Sequence, residues 1–112
     1  TPLAFGFLSG NFMKRDVKFE KGDHRSRWPA RQLRIWADAP KYFAGLNKNK
    51  SRTLTQLAIK FCISFDGIAT TIPGITNKNE ATENAFVSNL APLSKTEIKE
   101  VISIGNKHKF YI

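Results

Sequence analysis

The stretch that most constrains the fold runs from residue 68 to residue 84. The β-branched run Ile68-Ala69-Thr70-Thr71-Ile72 reads as a short buried strand that halts at Pro73-Gly74. A polar segment then opens a helix, and Asn77 with Glu80 three residues on is a capping-box arrangement, with Asn in place of the usual Ser or Thr. The first free amides of that helix are expected between Asn77 and Glu80, and such amides attract anions because they carry the positive end of the helix dipole. Strand, tight turn and helix therefore place a phosphate site at the strand's carboxyl end, where α/β barrels keep their ligands. The same spacing also serves helices that bind nothing, so on residues alone both readings stand.

Before this stretch, residues 1–10 read as the end of a strand and a loop in which Gly6 and Gly10 permit backbone geometries other residues resist. Residues 11–28 interleave Lys14, Arg15, Asp16, Lys18, Glu20, Lys21, Asp23, Arg25 and Arg27 with Phe12, Val17, Phe19 and Trp28, and keep neither a helix nor a strand period. A loop of that length is a lid, a binding loop or a disordered segment. Residues 29–65 read as helices. Pro40 divides the first part, with Asp38 expected as cap and Pro40 in a first turn. Asn47 to Arg52, Asn49 included, is a polar break. Thr53 with Gln56 then makes a capping box, and Leu54, Leu57, Ala58, Phe61, Cys62 and Phe65 share one helix face. Beyond the strand at 68–72, helices are expected over 78–88 and 94–106. The second is capped by Ser94 and Glu97, with Ile98, Val101 and Ile102 as its buried face.

The composition excludes several classes. With 41% hydrophobic and 12% aromatic residues the chain is globular rather than disordered. No apolar run approaches the ~20 residues of a membrane span, and a soluble cytoplasmic protein is the expectation. Cys62 lies on the apolar helix face with no Cys or His at ligand spacing, so it reads as a small hydrophobe and no metal site is expected. Net charge is +9, and it is uneven: residues 1–52 hold twelve Lys/Arg against four Asp/Glu, residues 53–112 six against five. Such a region suits nucleic acid, acidic lipid, a phosphorylated cofactor or plain solvation; base-reading motifs are absent, which disfavours nucleic acid.

Three blocks carry a family resemblance. Ile72-Pro73-Gly74 followed by Glu83-Asn84 resembles the last strand and following helix of the aldo/keto reductases, where Ile-Pro-Gly, a variable polar segment and Glu-Asn recur. Thr1-Pro2-Leu3-Ala4-Phe5-Gly6-Phe7-Leu8-Ser9-Gly10 resembles the family's Ser-Pro-Leu-x-x-Gly-x-Leu-Ser/Thr-Gly, which leaves the seventh strand. Leu54-Thr55-Gln56-Leu57-Ala58-Ile59-Lys60-Phe61-Cys62 resembles the helix ahead of the last strand. The blocks come in the family's order.

The resemblance implies an α/β fold and an NADPH-dependent carbonyl reductase. A (β/α)8 barrel needs around 250 residues, so 112 residues are expected to be its carboxyl-terminal part, mostly helical with one or two short strands. The same resemblance puts the cofactor's pyrophosphate over Thr1, Pro2, Leu3 and Gly6, and its adenosine phosphate against Arg25 of Asp23-His24-Arg25. Gly74, Thr76, Asn77, Lys78, Glu80, Glu83 and Asn84 complete the implied set. The catalytic Tyr, Lys, Asp and His belong to the family's amino-terminal half, and none maps onto this chain. Two departures weaken the preference for NADPH over NADH without reversing it: Glu80 stands in place of the common Gln, and Asn11 in place of a Lys. Leu57, Phe61 and Ile72 are expected to face absent barrel layers, which makes the remainder of a barrel, or a second copy, a partner. The alternative is a non-catalytic remnant or self-associating module.

Overall fold

Helix starts follow their caps. The computed structural model describes residues 1–14, 16–48 and 50–112, so Arg15 of the long loop and Asn49 of the polar break lie outside the described residues. Its helices are α1 (Ala30–Asp38), α2 (Pro40–Phe43), α3 (Leu54–Cys62), α4 (Lys78–Ala85) and α5 (Lys95–Lys107), with short 3-10 turns at Phe7–Ser9, His24–Arg27, Ala44–Asn47 and Phe86–Asn89. At α3 both halves of the capping box form: Thr53 Oγ1 accepts the Gln56 amide at 3.1 Å and Gln56 Oε1 accepts the Thr53 amide at 2.9 Å. Ser94 and Glu97 do the same at α5, at 3.1 and 2.8 Å. Pro40 sits at the first position of α2, where a missing N–H costs nothing. Asp38 does not cap that helix. Its carboxylate is held instead by Arg34 one turn earlier, at 2.9 Å, and a side chain engaged backward along α1 cannot reach the amides ahead.

The core gathers on α1. Phe7, Leu33, Trp36 and Ala37 are buried together, and Phe5, Phe12, Val17, Phe19, Trp28, Ile35 and Phe110 pack against them. Full burial of such a side chain contributes about 1.5–3 kcal/mol, and the partly buried Phe12, Phe19 and Trp28 gain a share of it, which anchors the long loop 11–28 to the core. The end of the chain is fastened to the same helix: Gln32, only 1% exposed, donates through Nε2 to Phe110 O at 2.7 Å and accepts the Ile112 amide at 3.0 Å. Tyr42 stacks on His108 at 3.9 Å, and Tyr111 meets the Trp36 ring edge-on at 5.5 Å.

A second layer is formed by α3 against α4 and the Phe86–Asn89 turn. Leu57, Ile59 and Val87 are buried there, and so is Lys60, whose Nζ donates to Val87 O at 3.1 Å. Arg52 joins the layers: it donates to Asn47 Oδ1 at 2.9 Å, Leu46 O at 3.1 Å and Glu97 Oε1 at 2.8 Å. Of the apolar face expected on α3, Leu57 is buried, while Leu54, Ala58, Phe61 and Cys62 are half-buried and Phe65 is exposed. The first four, with Leu57, line an apolar cavity of about 510 Å³ whose other wall includes Phe43, Val101, Ile102 and Phe110. No residue of α5 is buried, so the buried face expected of Ile98, Val101 and Ile102 is corrected: Ile98 and Val101 are half-buried and Ile102 is exposed.

Among the described residues no β-strand forms, which corrects both the strand over 68–72 and the strand end at residue 1. The amides of Ala69, Thr70, Thr71 and Ile72 find no acceptor. A strand is held by the N–H and C=O groups of a neighbour, and no described segment offers that edge. Ile72 is 88% exposed as a result.

Candidate functional site

The loop 1–10 turns so tightly that its backbone, more than its side chains, shapes the surface it offers. Leu3 O accepts the amides of both Gly6 and Leu8, at 3.0 and 3.1 Å. Ala4, Phe5 and Gly6 take consecutive left-handed conformations with φ of 46°, 59° and 91°. Non-glycine residues rarely do this, and such geometry persists only where the surroundings enforce it. Here the Phe5 ring is wedged between His24 and Trp36, at 5.5 and 5.7 Å.

Arg25 arrives on the loop 11–28 in a fixed pose. Asp23 caps the His24–Arg27 turn by accepting the Arg25 amide at 2.8 Å, and its two carboxylate oxygens take Nε at 3.0 Å and Nη2 at 2.6 Å. Nη1 leans on Phe5 O at 3.4 Å, and the guanidinium lies over the Phe19 ring at 4.1 Å. These contacts from Arg25 hold the Asp23 carboxyl down at about 2.

At α4 the capping box is half made. Asn77 Oδ1 accepts the Glu80 amide at 3.0 Å, but Glu80 Oε2 returns to Thr76, taking its N–H at 2.7 Å and its hydroxyl at 2.8 Å. Thr76 offers two donors side by side where Asn77 would offer one, and the Glu80 carboxyl is kept below its usual range chiefly by the Thr76 amide. Glu83 is tied to the start of α3: its Oε1 accepts the Thr53 hydroxyl at 2.6 Å and its carbonyl accepts Gln56 Nε2 at 3.1 Å. Asn84 is 8% exposed; Nδ2 reaches Gly74 O at 3.4 Å, and Oδ1 is buried without a partner.

These parts meet in one cleft of about 570 Å³. Thr1, Pro2, Leu3, Gly6, Arg25, Gly74, Thr76, Glu80, Glu83 and Asn84 all line it, whereas Asn77 and Lys78 do not. Gly74 does not need to be glycine for its own conformation: a Cβ there would touch nothing, and its φ is ordinary. The cleft adds residues outside the implied cofactor set, among them Phe5 and Thr55. Thr55 is a buried polar residue two positions past the Thr53 cap, and that polarity inside an amphipathic helix was the signal for it. Asp23 does not line the cleft; it acts through Arg25, whose side chain it orients.

A family model described as the aldo/keto reductase family matches residues 1–106. The chain belongs to the aldo/keto reductase family. Neither a search of curated proteins nor one of solved structures returned a match. Aldo/keto reductases are oxidoreductases that generally use nicotinamide cofactors, and the match includes every residue of the cleft. The family fold is a barrel, whereas the described residues here are helices and turns. No described helix is long and apolar enough to cross a membrane.

Proposed function

We propose that this chain is the cofactor-binding, carboxyl-terminal part of a (β/α)8-barrel oxidoreductase that reduces carbonyl substrates, and that it takes NADP(H) in the cleft between the first loop, Arg25 and α4. One observation supports the reading: the first loop, Arg25 and the segment 72–84, each of which resembles a part that the family uses for its cofactor, line a single cleft. The residues suit the ligand. The volume of about 570 Å³ falls in the ~300–1,000 Å³ range of small-molecule sites. The orphaned Oδ1 of Asn84 lacks the donor that an amine or hydroxyl would supply. In this reading Pro2, Leu3 and Gly6 run beneath the pyrophosphate, and Arg25, oriented by Asp23 and Phe19, meets the adenosine phosphate. A bound nicotinamide supplies the hydride. The chain's own part is to position it: Tyr42 and Tyr111 are engaged with His108 and Trp36, and neither lines the cleft.

Titrating the full chain with NADPH and with NADH, read by nicotinamide fluorescence, tests the assignment. Saturable binding that Arg25→Ala weakens is expected; no saturable binding of either cofactor refutes it.

A second reading, docking onto the remainder of a barrel or onto another copy, is favoured by the exposure of Ile72 together with Ile68 and Ile75. Light scattering of the chain against an Ile72→Lys variant tests it. A concentration-independent monomer that the substitution leaves unchanged counts against self-association.

A further inference from the structure

The first loop has a second face. Leu3, Phe5 and Gly6 line the cleft, whereas Ala4, Phe7 and Leu8 line the apolar cavity of about 510 Å³, and Pro2 alone among the described residues belongs to both. No described residue that lines the cavity carries a charge, and the polar side chains there are those of Trp36, Cys62, Asn106 and Tyr111. Burial accordingly pushes the Cys62 thiol above its ordinary pKa. The walls are fixed from within the chain: Arg52 ties the polar break to Glu97 of α5, and Gln32 fastens the tail at Phe110 and Ile112. A cavity so lined selects among occupants. Water needs about three polar partners, more than these walls bring together. An extended peptide would bring backbone N–H and C=O groups that the walls leave unpaired, and about one turn of a helix 10–12 Å across would fill the space.

We propose that this cavity is a binding site for an uncharged, largely apolar small molecule, an aromatic or branched hydrocarbon skeleton with one or two polar atoms at most. It is separate from the cleft and does not depend on what the cleft binds. Its volume falls in the ~300–1,000 Å³ range of small-molecule sites. Such a ligand leaves no hydrogen bond unmet when it quits water, whereas an ionised one finds no counter-charge on the walls. Asn106, an exposed residue of the lining, offers a single hydroxyl or carbonyl of the ligand an amide.

The test uses the full chain and a matched pair of fluorescent probes: N-phenyl-1-naphthylamine, which is uncharged, and 8-anilinonaphthalene-1-sulfonate, the same ring system with a sulfonate. Titration should show one saturable site for the uncharged probe, and the sulfonate should compete for it at least about tenfold more weakly. Gly105 lines the cavity from α5 at a position where an added Cβ meets nothing within 4 Å, and leucine suits a helix better than glycine. Gly105→Leu therefore fills the site with the fold kept, and should lower the affinity for the uncharged probe about tenfold or more. Cys62, the chain's one cysteine, gives a readout in the wild type: saturating N-phenyl-1-naphthylamine should slow its alkylation by N-ethylmaleimide about tenfold, as followed by intact mass. NADPH should displace none of the probe. Absence of a saturable site, Cys62 alkylation that the probe leaves unchanged, or displacement of the probe by NADPH each overturns the proposal. Loss of probe binding in step with dimer formation, seen by light scattering, overturns it as well and gives the cavity to a second copy.

Discussion

Replacing Arg52 by Met keeps the apolar stem and removes the fork that joins the polar break to α5. Arg52 is 9% exposed on its side chain, and its charge-assisted bond to Glu97 at 2.8 Å belongs to a class worth about 1.5–3 kcal/mol. The bonds to Asn47 Oδ1 and Leu46 O add about 0.5–1 kcal/mol each. Glu97 is not stranded by the change, since its Oε2 still accepts the Ser94 amide and Lys50 lies 3.8 Å from its Oε1. The net loss is therefore about 2.5–5 kcal/mol, or about 10–20 °C in Tm for a domain of this size.

The pH dependence gives a second check on the same variant. The Ser94 amide first, and then Arg52, hold the folded Glu97 carboxyl down from 4.5 to about 2. A depressed folded value means that its contribution is complete above about 4.5 and is lost as pH falls toward 2. The gap in Tm between wild type and Arg52→Met should be full at pH 7 and should narrow below pH 4. Thermal unfolding followed by circular dichroism measures both. A fall of under about 3 °C at pH 7, or a gap that is unchanged at pH 2.5, would refute the reasoning.

Three further outcomes are expected. Gln32→Leu strands the Phe110 carbonyl and the Ile112 amide at a buried site, so it should cost about 1–3 kcal/mol and make the tail the first target of limited proteolysis; a tail as resistant as in the wild type would contradict it. Gly6→Ala places a side chain at φ +91° and should cost about 1 kcal/mol, whereas Gly74→Ala should stay within about 0.5 kcal/mol, as compared by urea denaturation. The Asp23 carboxyl should titrate near 2 by NMR and move up toward 3.8 in Arg25→Ala; because the folded value is depressed, its stabilisation is present above about 4 and fades toward pH 2. A wild-type midpoint of 3.8 would count against the Asp23–Arg25 clamp.

Local chemistry was legible in the sequence wherever the partners are neighbours. The Thr53–Gln56 and Ser94–Glu97 spacings close in both directions, and Gly6 and Gly10 take the left-handed backbone their positions suggested. Asn77 and Glu80 have the same spacing but resolve differently, because Thr76 competes for the carboxylate with an amide and a hydroxyl together; spacing alone does not rank those donors. Ala4 and Phe5 give no signal of their positive φ, since the cause lies in rings contributed by His24 and Trp36. Gln32 was hidden for a related reason: its partners are 78 and 80 residues away. For 68–72 the β-branched pattern states a preference, but a strand is a property of a pair.

Lys60 turns the seam between α3 and α4 into something a chemist can time. Its ammonium group is enclosed and held by the Val87 carbonyl, while most of the other lysines lie on exposed positions. An acylating reagent in excess should label those at once and reach Lys60 only when the seam parts. Its labelling rate, resolved by peptide mass, then reads the opening frequency of that seam separately from unfolding of the aromatic core around Trp36. A nucleotide that bridges the first loop and α4 should slow that one lysine and leave the surface lysines unchanged.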